Sequence, residues 1–141
     1  MTRSEISEFF DKRDTAWQNH DAEALAADHA REGEVDSPLF GNLKGQSDIR
    51  KSYAEFLSTF PDMEYTREYL LIDGDKAVEF IAMTGTQQRD FCGLPATGKR
   101  MQIRAMSLCF LADGKISKEI RVYDFTRLLL QLGVLKAKPG F

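Results

Sequence analysis

The sequence has few of the residues that hold small proteins together through cross-links or metals, with two cysteines and two histidines among 141 residues. Cys92 and Cys109 can form one disulfide at most, and we expect both to be reduced because the N-terminal segment carries no export signal. His20 and His29 are not accompanied by an H-E-x-x-H or C-x-x-C motif. The sequence therefore predicts no metal site, and we expect no cofactor.

Positive charge and long apolar runs are also lacking. Nineteen Lys and Arg against 22 Asp and Glu leave a net charge of −3, which excludes a nucleic-acid binder that works through a broad basic face. No segment approaches the run of about 18 uncharged apolar residues that a membrane span needs. Glu5 and Glu8 lie where a signal peptide has its apolar stretch. These absences predict a cytoplasmic protein with neither nucleic-acid nor membrane partners.

The composition that remains is that of one folded domain. A hydrophobic share of 43% beside 29% charged residues is typical of a globular protein. A chain of this length corresponds to a single domain, here residues 1–141, and it buries roughly two thirds of its unfolded surface. Ten phenylalanines indicate a deep apolar interior and suggest a cavity.

Helices are predicted in the first half of the chain and strands in the second. Thr2 and Glu5 form a T-x-x-E capping box, and apolar residues at helical spacing follow it. Predicted helices cover about 3–19, 21–29, 47–60 and 128–132. Predicted strands cover 34–40, 63–72, 76–87, 100–111 and 115–125, with Asp-Gly turns in two of their connections. The tail at 136–139 is predicted to fray or to cross to a partner subunit.

This order of elements predicts an α+β fold, because helices come first and a meander of long strands follows. The N-terminal helices are expected to pack on a strongly curved antiparallel sheet. One face of the sheet covers the interior and the other stays partly bare. Since side chains on both faces of the last strand have reason to be covered, we expect a homodimer through the open sheet face.

Four segments, in order along nearly the whole chain, carry a resemblance to a known family. They are W-Q-N-H-D-A-E-A-L from residue 17, the helix 45–60 that ends in F-P-D, the loop G-L-P-A-T-G at 93–98, and D-G-K-I at 113–116 running on to Y-D and L-L-Q-L-G at 129–133. Together they resemble the SnoaL-like polyketide (ester) cyclase family. That family has the cystatin-like cone fold shared with nuclear transport factor two and ketosteroid isomerase.

The resemblance implies a cone-shaped α+β barrel with a pocket between the sheet and the helices. In the cyclases the pocket holds a flat polyketide ester, and an acidic residue on the last strand works as acid and base in an aldol closure without metal or organic cofactor. A carboxyl group suits that role because an apolar cavity raises its pKa towards the working pH.

Carried over residue by residue, the family's catalytic positions hold other residues in this chain. The catalytic Asp position on the last strand falls on Arg121, and the neighbouring His position falls on Glu119. The polar pair of the preceding strand includes Ser107. The base of the isomerases falls on Ser37, and Asp36 is one step away. The resemblance therefore supports the fold more strongly than either known reaction.

The residues themselves still suggest a chemistry. Glu119, Arg121 and Tyr123 are spaced two apart, so they share one face of a strand. Arg121 can bind an anionic or carbonyl oxygen and stabilise an enolate, and Glu119 or Asp36 can be the base that removes an acidic C–H proton. Arg121 also lowers the pKa of Glu119 and so weakens it as a base. The predicted ligand contacts are Trp17, Tyr53, Ser107 and Tyr123.

Three hypotheses for function stay open. The first is a cofactor-free cyclase or isomerase that binds a hydrophobic, oxygenated small molecule. The second is a non-catalytic binding or dimerisation module, in which Glu119 and Arg121 form an internal ion pair that also uses Arg104 or Arg13. The third is an epoxide-type hydrolase, whose Asp–Arg–Asp arrangement is not visible at matching positions. A hollow cavity with a free polar wall favours the first, and a cavity filled by Phe and Met favours the second.

Overall fold

The longest helix, α1 (Arg3–Gln18), begins at the predicted capping box in the computed structural model, which describes residues 1–136. The Thr2 hydroxyl accepts a hydrogen bond from the Glu5 backbone N–H, and the Glu5 carboxylate accepts one from the Thr2 N–H. This reciprocal pair satisfies two N–H groups that a helix start leaves without partners. The predicted tail beyond residue 136 lies outside the described residues.

The other helices lie close to their predicted places. Their bounds are α2 (Ala22–Ala27), α3 (Gln46–Thr59) and α4 (Phe125–Gln131). Helix α2 ends earlier than predicted because His29 already belongs to a strand. Helix α3 is capped by Gly45, whose φ of 88° is the left-handed conformation that glycine adopts without strain. Helix α4 is capped by the Asp124 carboxylate, which accepts from the Arg127 N–H at 2.9 Å.

Six strands form one sheet in the order β2-β1-β6-β5-β4-β3. Their bounds are β1 (His29–Ser37), β2 (Gly41–Lys44), β3 (Glu64–Asp73), β4 (Lys76–Thr86), β5 (Arg100–Ala112) and β6 (Lys115–Tyr123). The three successive strand pairs from β3 to β6 are antiparallel, as predicted. The predicted α+β cone fold is confirmed.

Two details of the predicted sheet differ from the structure. The sheet is mixed, because β1 runs parallel to β6. Strand β1 lies far from β6 in the chain, so no hairpin turn dictates an antiparallel direction for this pair. The sheet is also not closed into a barrel, since β2 and β3 remain its two edges. Helix α1 packs against β3 and helix α3 against β1, which covers the inner side of the open sheet.

The inner face of the sheet carries polar residues in neighbouring rows. Glu79 on β4 pairs with Ser107 on β5, and Ser107 pairs with Arg121 on β6. In the adjacent row Cys109 pairs with Glu119. Because side chains alternate along a strand, these groups all point towards the helices. The strand register therefore gathers these five side chains on one wall of the interior.

The apolar core lies between the inner face of the sheet and the helices. The larger cluster includes the buried rings of Trp17, Tyr53, Phe60 and Phe91. A smaller cluster forms around Phe10 where α1 meets the far ends of β5 and β6. Within residues 1–136, no helix has both the length and the apolar character to cross a membrane.

A single buried amide organises the loop between β4 and β5. The Gln87 side chain has no solvent exposure, and its Nε2 donates to the carbonyl oxygens of Arg89 at 3.2 Å and Pro95 at 3.0 Å. Its Oε1 accepts from the Thr97 hydroxyl at 3.0 Å. The G-L-P-A-T-G loop therefore depends on a glutamine that precedes it.

We expect Gln87→Leu to lower the free energy of unfolding by about 1–3 kcal/mol, because it leaves buried loop carbonyls without a donor. Urea unfolding of the purified protein measures this difference. Gln88→Leu is the matched control, since the Gln88 side chain is exposed. Equal losses in the two variants would show that the Gln87 hydrogen bonds do not hold the loop.

Candidate functional site

A cavity lies between the inner face of the sheet and helices α1 and α3. It encloses about 770 Å³ of space not occupied by atoms, including the solvent at its open mouth. Its apolar wall includes Trp17, Phe56, Ile81, Met83, Ile103 and Leu128. The Trp17 ring stacks on Tyr65 with centroids 5.3 Å apart and planes 5° apart. This mostly apolar lining with a few polar groups is typical of small-molecule sites in general.

One end of the cavity is charged. The Arg121 guanidinium donates to both carboxylate oxygens of Glu119, from Nε at 2.9 Å and from Nη2 at 3.3 Å. The Ser107 hydroxyl donates to the same carboxylate. The Glu119 side chain is only 5% exposed. Glu119 is therefore a buried carboxylate that Arg121 and Ser107 satisfy.

A second guanidinium approaches Glu119 from the helix side. Arg13 on α1 is 3% exposed, and its Nη2 lies 3.7 Å from the Glu119 carboxylate. Its Nη1 donates to the Leu25 carbonyl oxygen at 3.2 Å and to Asp28 at 3.3 Å. Two cations and two carboxylates thus compensate one another in a nearly closed space.

The arginines hold Glu119 in its ionised form. Burial alone raises the pKa of this carboxyl group, but the charges of Arg121 and Arg13 and the Arg121 hydrogen bonds outweigh burial and keep the pKa well below its usual range. A carboxylate with so low a pKa is a weak base near neutrality. The ion pair therefore weakens the predicted role of Glu119 as a base.

The Tyr53 hydroxyl joins the two arginines to His29. It accepts from Arg13 Nη2 and from Arg121 Nη2, the latter at 3.0 Å, and lies 2.7 Å from His29 Nε2. Both arginines only donate, so the single phenol proton is left for His29. His29 is then the acceptor and neutral. Burial, followed by the charge of Arg13, lowers the pKa of His29 to about 3, which agrees with this assignment.

A second polar cluster lies on the β4 side of the same cavity. The Tyr65 hydroxyl lies 3.1 Å from Asp14 Oδ1 and 3.4 Å from Glu79 Oε1. Asp14 forms an ion pair with Arg67 at 3.0 Å. Burial, then the hydrogen bond to and the charge of Asp14, raise the pKa of Glu79 to about 9. Glu79 is consequently protonated at neutral pH, in contrast to Glu119.

The structure brings six of the seven predicted site residues to this cavity. Its wall includes Trp17, Tyr53, Ser107, Glu119, Arg121 and Tyr123. Asp36 is the exception, because it is exposed on β1 between two buried neighbours, Val35 and Ser37, which face the interior. The expectation that Asp36 faces the pocket is therefore wrong by one residue of strand alternation.

The predicted ion-pair network also needs a correction. Arg13 does join Glu119, whereas Arg104 lies on the outer face of the sheet and pairs with Glu68 at 3.1 Å. Sequence reasoning missed Glu79, although it occupies the same strand parity as the buried Ala77 and Ile81. An acidic residue at an inward-facing strand position was the signal that could have found it. Among residues 1–136, no group of three or more ligating side chains is arranged to hold a metal ion.

We expect Glu119→Gln to lower the free energy of unfolding at pH 7 by about 3–5 kcal/mol, because two buried guanidiniums lose their shared carboxylate. The pKa of Glu119 is lower in the folded chain than its ordinary value of 4.5, so its contribution is fully present above that value and declines as the pH falls. The difference between wild type and variant should therefore shrink below about pH 4.

Urea unfolding at pH 7 and at pH 3 measures both effects. Glu68→Gln is the matched control, since it disrupts an ion pair whose arginine is 82% exposed. A loss in Glu119→Gln no larger than in the control would contradict the account of Glu119.

Solved structures of other proteins share the fold of this chain. TsrD from Streptomyces laurentii has 24% sequence identity and a TM-score of 0.84, over 96% of this chain and 99% of TsrD. AclR, a candidate hydroxylase from Streptomyces galilaeus, has 22% identity and a TM-score of 0.83, over 99% of this chain and 91% of AclR. A candidate SnoaL-like polyketide cyclase from Jannaschia sp. CCS1 has 18% identity and a TM-score of 0.83, over 94% of each chain.

These identities show a shared fold and do not transfer a reaction, because one fold supports many chemistries. No curated protein matches the sequence. The predicted resemblance is confirmed at the level of the family. Residues 8–132 match the sequence model of the SnoaL-like polyketide cyclases, and the chain therefore belongs to that family.

Proposed function

We propose that this protein binds a hydrophobic small molecule that carries oxygen atoms, and that it moves a proton at a carbon beside a carbonyl group of that molecule. A cofactor-free cyclisation or isomerisation has this chemistry. The observation that carries the proposal is the open cavity between the sheet and the helices, whose mostly apolar wall also carries the Glu119–Arg121 pair. Membership of the cyclase family supports the same class of reaction.

Arg121 is the residue we assign to the ligand oxygen. Its Nε and Nη2 are engaged by Glu119 and Tyr53, whereas its Nη1 has no hydrogen-bond partner among residues 1–136. Burial lowers the pKa of Arg121, but the charge of Glu119 outweighs burial and the pKa lies above its ordinary value. The guanidinium therefore stays protonated and can stabilise the negative charge that develops on an enolate oxygen.

Glu119 has a supporting role in this proposal. Its carboxylate fixes the orientation of the Arg121 guanidinium through two hydrogen bonds. Its lowered pKa makes it a poor acceptor for a C–H proton. The proton that leaves the carbon therefore passes to hydroxide or a buffer base from the solvent at the open mouth of the cavity, and Arg121 holds the enolate that remains. Asp36 does not enter the proposal because it is exposed and outside the cavity wall.

A non-catalytic binding module is the second candidate. One observation favours it: Glu119 and Arg121 are satisfied by each other and by their neighbours, as in a structural ion pair. The cavity itself fits both candidates, because a binding protein also needs a hollow interior. Both candidate functions therefore predict that the cavity binds a ligand, and only the enzyme is expected to convert it.

We expect the cavity to bind 6-propionyl-2-(dimethylamino)naphthalene, a fluorescent aryl ketone. Arg121→Gln should weaken that binding at least about tenfold, because the variant loses one charge-assisted hydrogen bond to the ketone oxygen. Fluorescence titration measures the dissociation constants. Arg104→Gln is the matched control, because Arg104 is exposed on the outer face. Should the single variant unfold, Glu119→Gln with Arg121→Gln removes both charges together. Equal affinity in the wild type and in both Arg121 variants would contradict the assignment of Arg121.

Deuterium uptake separates the two candidate functions. In D₂O, an enzyme that abstracts a C–H proton should exchange the protons beside the carbonyl of this ketone faster than buffer does, as followed by proton NMR. The Arg121→Gln variant should lose that acceleration. Binding without accelerated exchange would reject catalysis on this ketone and favour the binding module.

We also propose that a second copy of this chain covers the outer face of the sheet. Four large apolar side chains are exposed there, Tyr69, Leu71, Met106 and Val122, at 64%, 59%, 38% and 54%. Tyr69 pairs with Phe80, Phe80 with Met106, and Met106 with Val122, so one row of these side chains runs from β3 to β6. Soluble monomers rarely expose contiguous apolar patches of such extent, and a two-fold interface would bury the same patch on both copies.

Light scattering at micromolar concentration should then give about twice the chain mass of 16.0 kDa. Val122→Glu should give the monomer mass, because it places a charge in the centre of the interface. Ala54→Glu, on the exposed face of α3, is the control and should leave the mass unchanged. A monomer mass for the wild type would reject the dimer.

A further inference from the structure

The second polar cluster contains an acid that the ion-pair network does not use. Glu79 is 3% exposed on the cavity wall, and its Oε2 has no hydrogen-bond partner within residues 1–136. The nearest cation, Arg67, holds its Nη1 3.9 Å from Oε2, which is beyond hydrogen-bond distance. The contact is thus a long ion pair, and the same Nη1 lies closer to Asp14, at 3.0 Å. A buried carboxyl group whose nearest cation is this distant and shared costs least when it carries a proton.

The neighbouring phenol leads to the same conclusion from geometry alone. Tyr65 has one hydroxyl proton, and two carboxyl oxygens lie near it, Asp14 Oδ1 at 3.1 Å and Glu79 Oε1 at 3.4 Å. If Tyr65 donates this proton to the nearer Asp14, an ionised Glu79 would place an oxygen lone pair against a lone pair of the Tyr65 hydroxyl oxygen. A protonated Glu79 avoids this repulsion because it donates a hydrogen bond to that oxygen. With Glu79 protonated, the groups donate in one direction, from Glu79 to Tyr65 and from Tyr65 to Asp14.

The far end of this chain of groups reaches the surface. The Asp14 side chain is 12% exposed and pairs with Arg67, which is 25% exposed. Arg67 in turn donates to Asp11 at 2.8 Å, and the Asp11 side chain is 59% exposed. Glu79 lines the cavity, whereas Asp14 is in partial contact with solvent. Tyr65 lies between them.

We infer that Glu79 stores an exchangeable proton on the cavity wall and that Tyr65 and Asp14 refill it from solvent. The use of that proton on a ligand rests on the proposed function. There, the Glu79 O–H bond breaks as the proton moves to an enolate oxygen or carbon of the ligand, and the electron pair stays on the carboxylate. That carboxylate then takes the Tyr65 proton, while Tyr65 takes a proton that solvent has delivered to Asp14. The protein ends in its starting state, and one proton has passed from solvent to ligand.

The charged and titratable groups that face Glu79 come from three elements. They are Arg13 and Asp14 on α1, Tyr65 and Arg67 on β3, and Cys109 on β5. Burial and then the charges of Glu79 and Asp14 raise the pKa of Tyr65, and burial raises that of Cys109, so both stay protonated near neutrality. Raising the pH removes the Glu79 proton first, since its pKa of about 9 lies below those of both neighbours.

Infrared spectroscopy of the free protein tests the inference without any ligand. At pH 7 we expect the C=O stretch of a protonated carboxyl group, which disappears as the pH rises through about 9. Glu79→Gln should lack this band at every pH. Asp14→Asn, which removes the negative neighbour, should lose the band at a lower pH than the wild type. A wild type without the band at pH 7, or a band that survives in Glu79→Gln, overturns the inference.

Rapid dilution into D₂O tests the relay. The band shifts as COOH becomes COOD, and we expect that exchange to be at least about tenfold slower in Tyr65→Phe than in the wild type. Tyr69→Phe is the matched control, because Tyr69 lies on the same strand with 64% of its surface exposed. Equal exchange rates in all three proteins overturn the relay.

Measurements with the aryl ketone distinguish the proposed function from the stored proton on Glu79. Emission of the bound aryl ketone reports a hydrogen bond to its carbonyl oxygen, and it should change as Glu79 ionises in the wild type and not in Glu79→Gln. If the ketone does not bind while the infrared results hold, the proposed function fails and the stored proton stands. If the ketone binds and its emission is independent of pH in the wild type, the stored proton does not reach the ligand and that use of it is wrong.

Discussion

The rest of the site depends on the ion pairs that the buried Glu119 carboxylate forms with two arginines. The carboxylate lies between Arg121, on its own strand, and Arg13, on the N-terminal helix. Removing charges from water costs several kcal/mol each, so such a cluster persists only when every member is paired. Each arginine also donates to Tyr53 on α3. One carboxylate thereby connects α1, α3 and β6 on the wall of the cavity.

The same fold gives two glutamates on one wall opposite protonation states. Glu119 faces two guanidiniums and stays ionised, whereas Glu79 faces a carboxylate and a phenol and holds a proton near neutrality. Their positions differ by one row of the sheet, since Glu79 shares its row with Arg121. Environments that push the pKa values of like groups apart therefore give them different roles, Glu119 as the ionised partner of Arg121 and Glu79 as the group that carries a proton. The family's fold leaves such assignments open, because it fixes a hollow and not the residues that line it.

Strand alternation predicted that Glu119, Arg121 and Tyr123 share one face, and the resemblance to the family was needed to predict that this face lies inside. The prediction for Asp36 rested on the resemblance, whose base position falls on Ser37, and a step of one residue along a strand turns the side chain to the other face. Arg13 was one of two arginines predicted for the ion pair, but no local pattern could choose it over Arg104 or predict that His29 also approaches Glu119. The packing of α1 brings Arg13 to Glu119, and the pairing of β1 with β6 brings His29 there. The parallel pairing of β1 with β6 was equally hidden, because turn residues report only on neighbours in the chain. Glu79 could have been predicted as a site residue, because it is an acid at an inward position of an otherwise apolar strand face.

The central claim is that the hollow holds a ligand whose oxygen meets the charged end. A crystal structure of the protein soaked with the aryl ketone tests it most directly. The account predicts the naphthalene ring between Trp17 and the apolar strand residues, with the carbonyl oxygen within hydrogen-bond distance of Arg121. A ketone bound only on the outer face of the sheet, or a cavity filled by its own side chains, would contradict it.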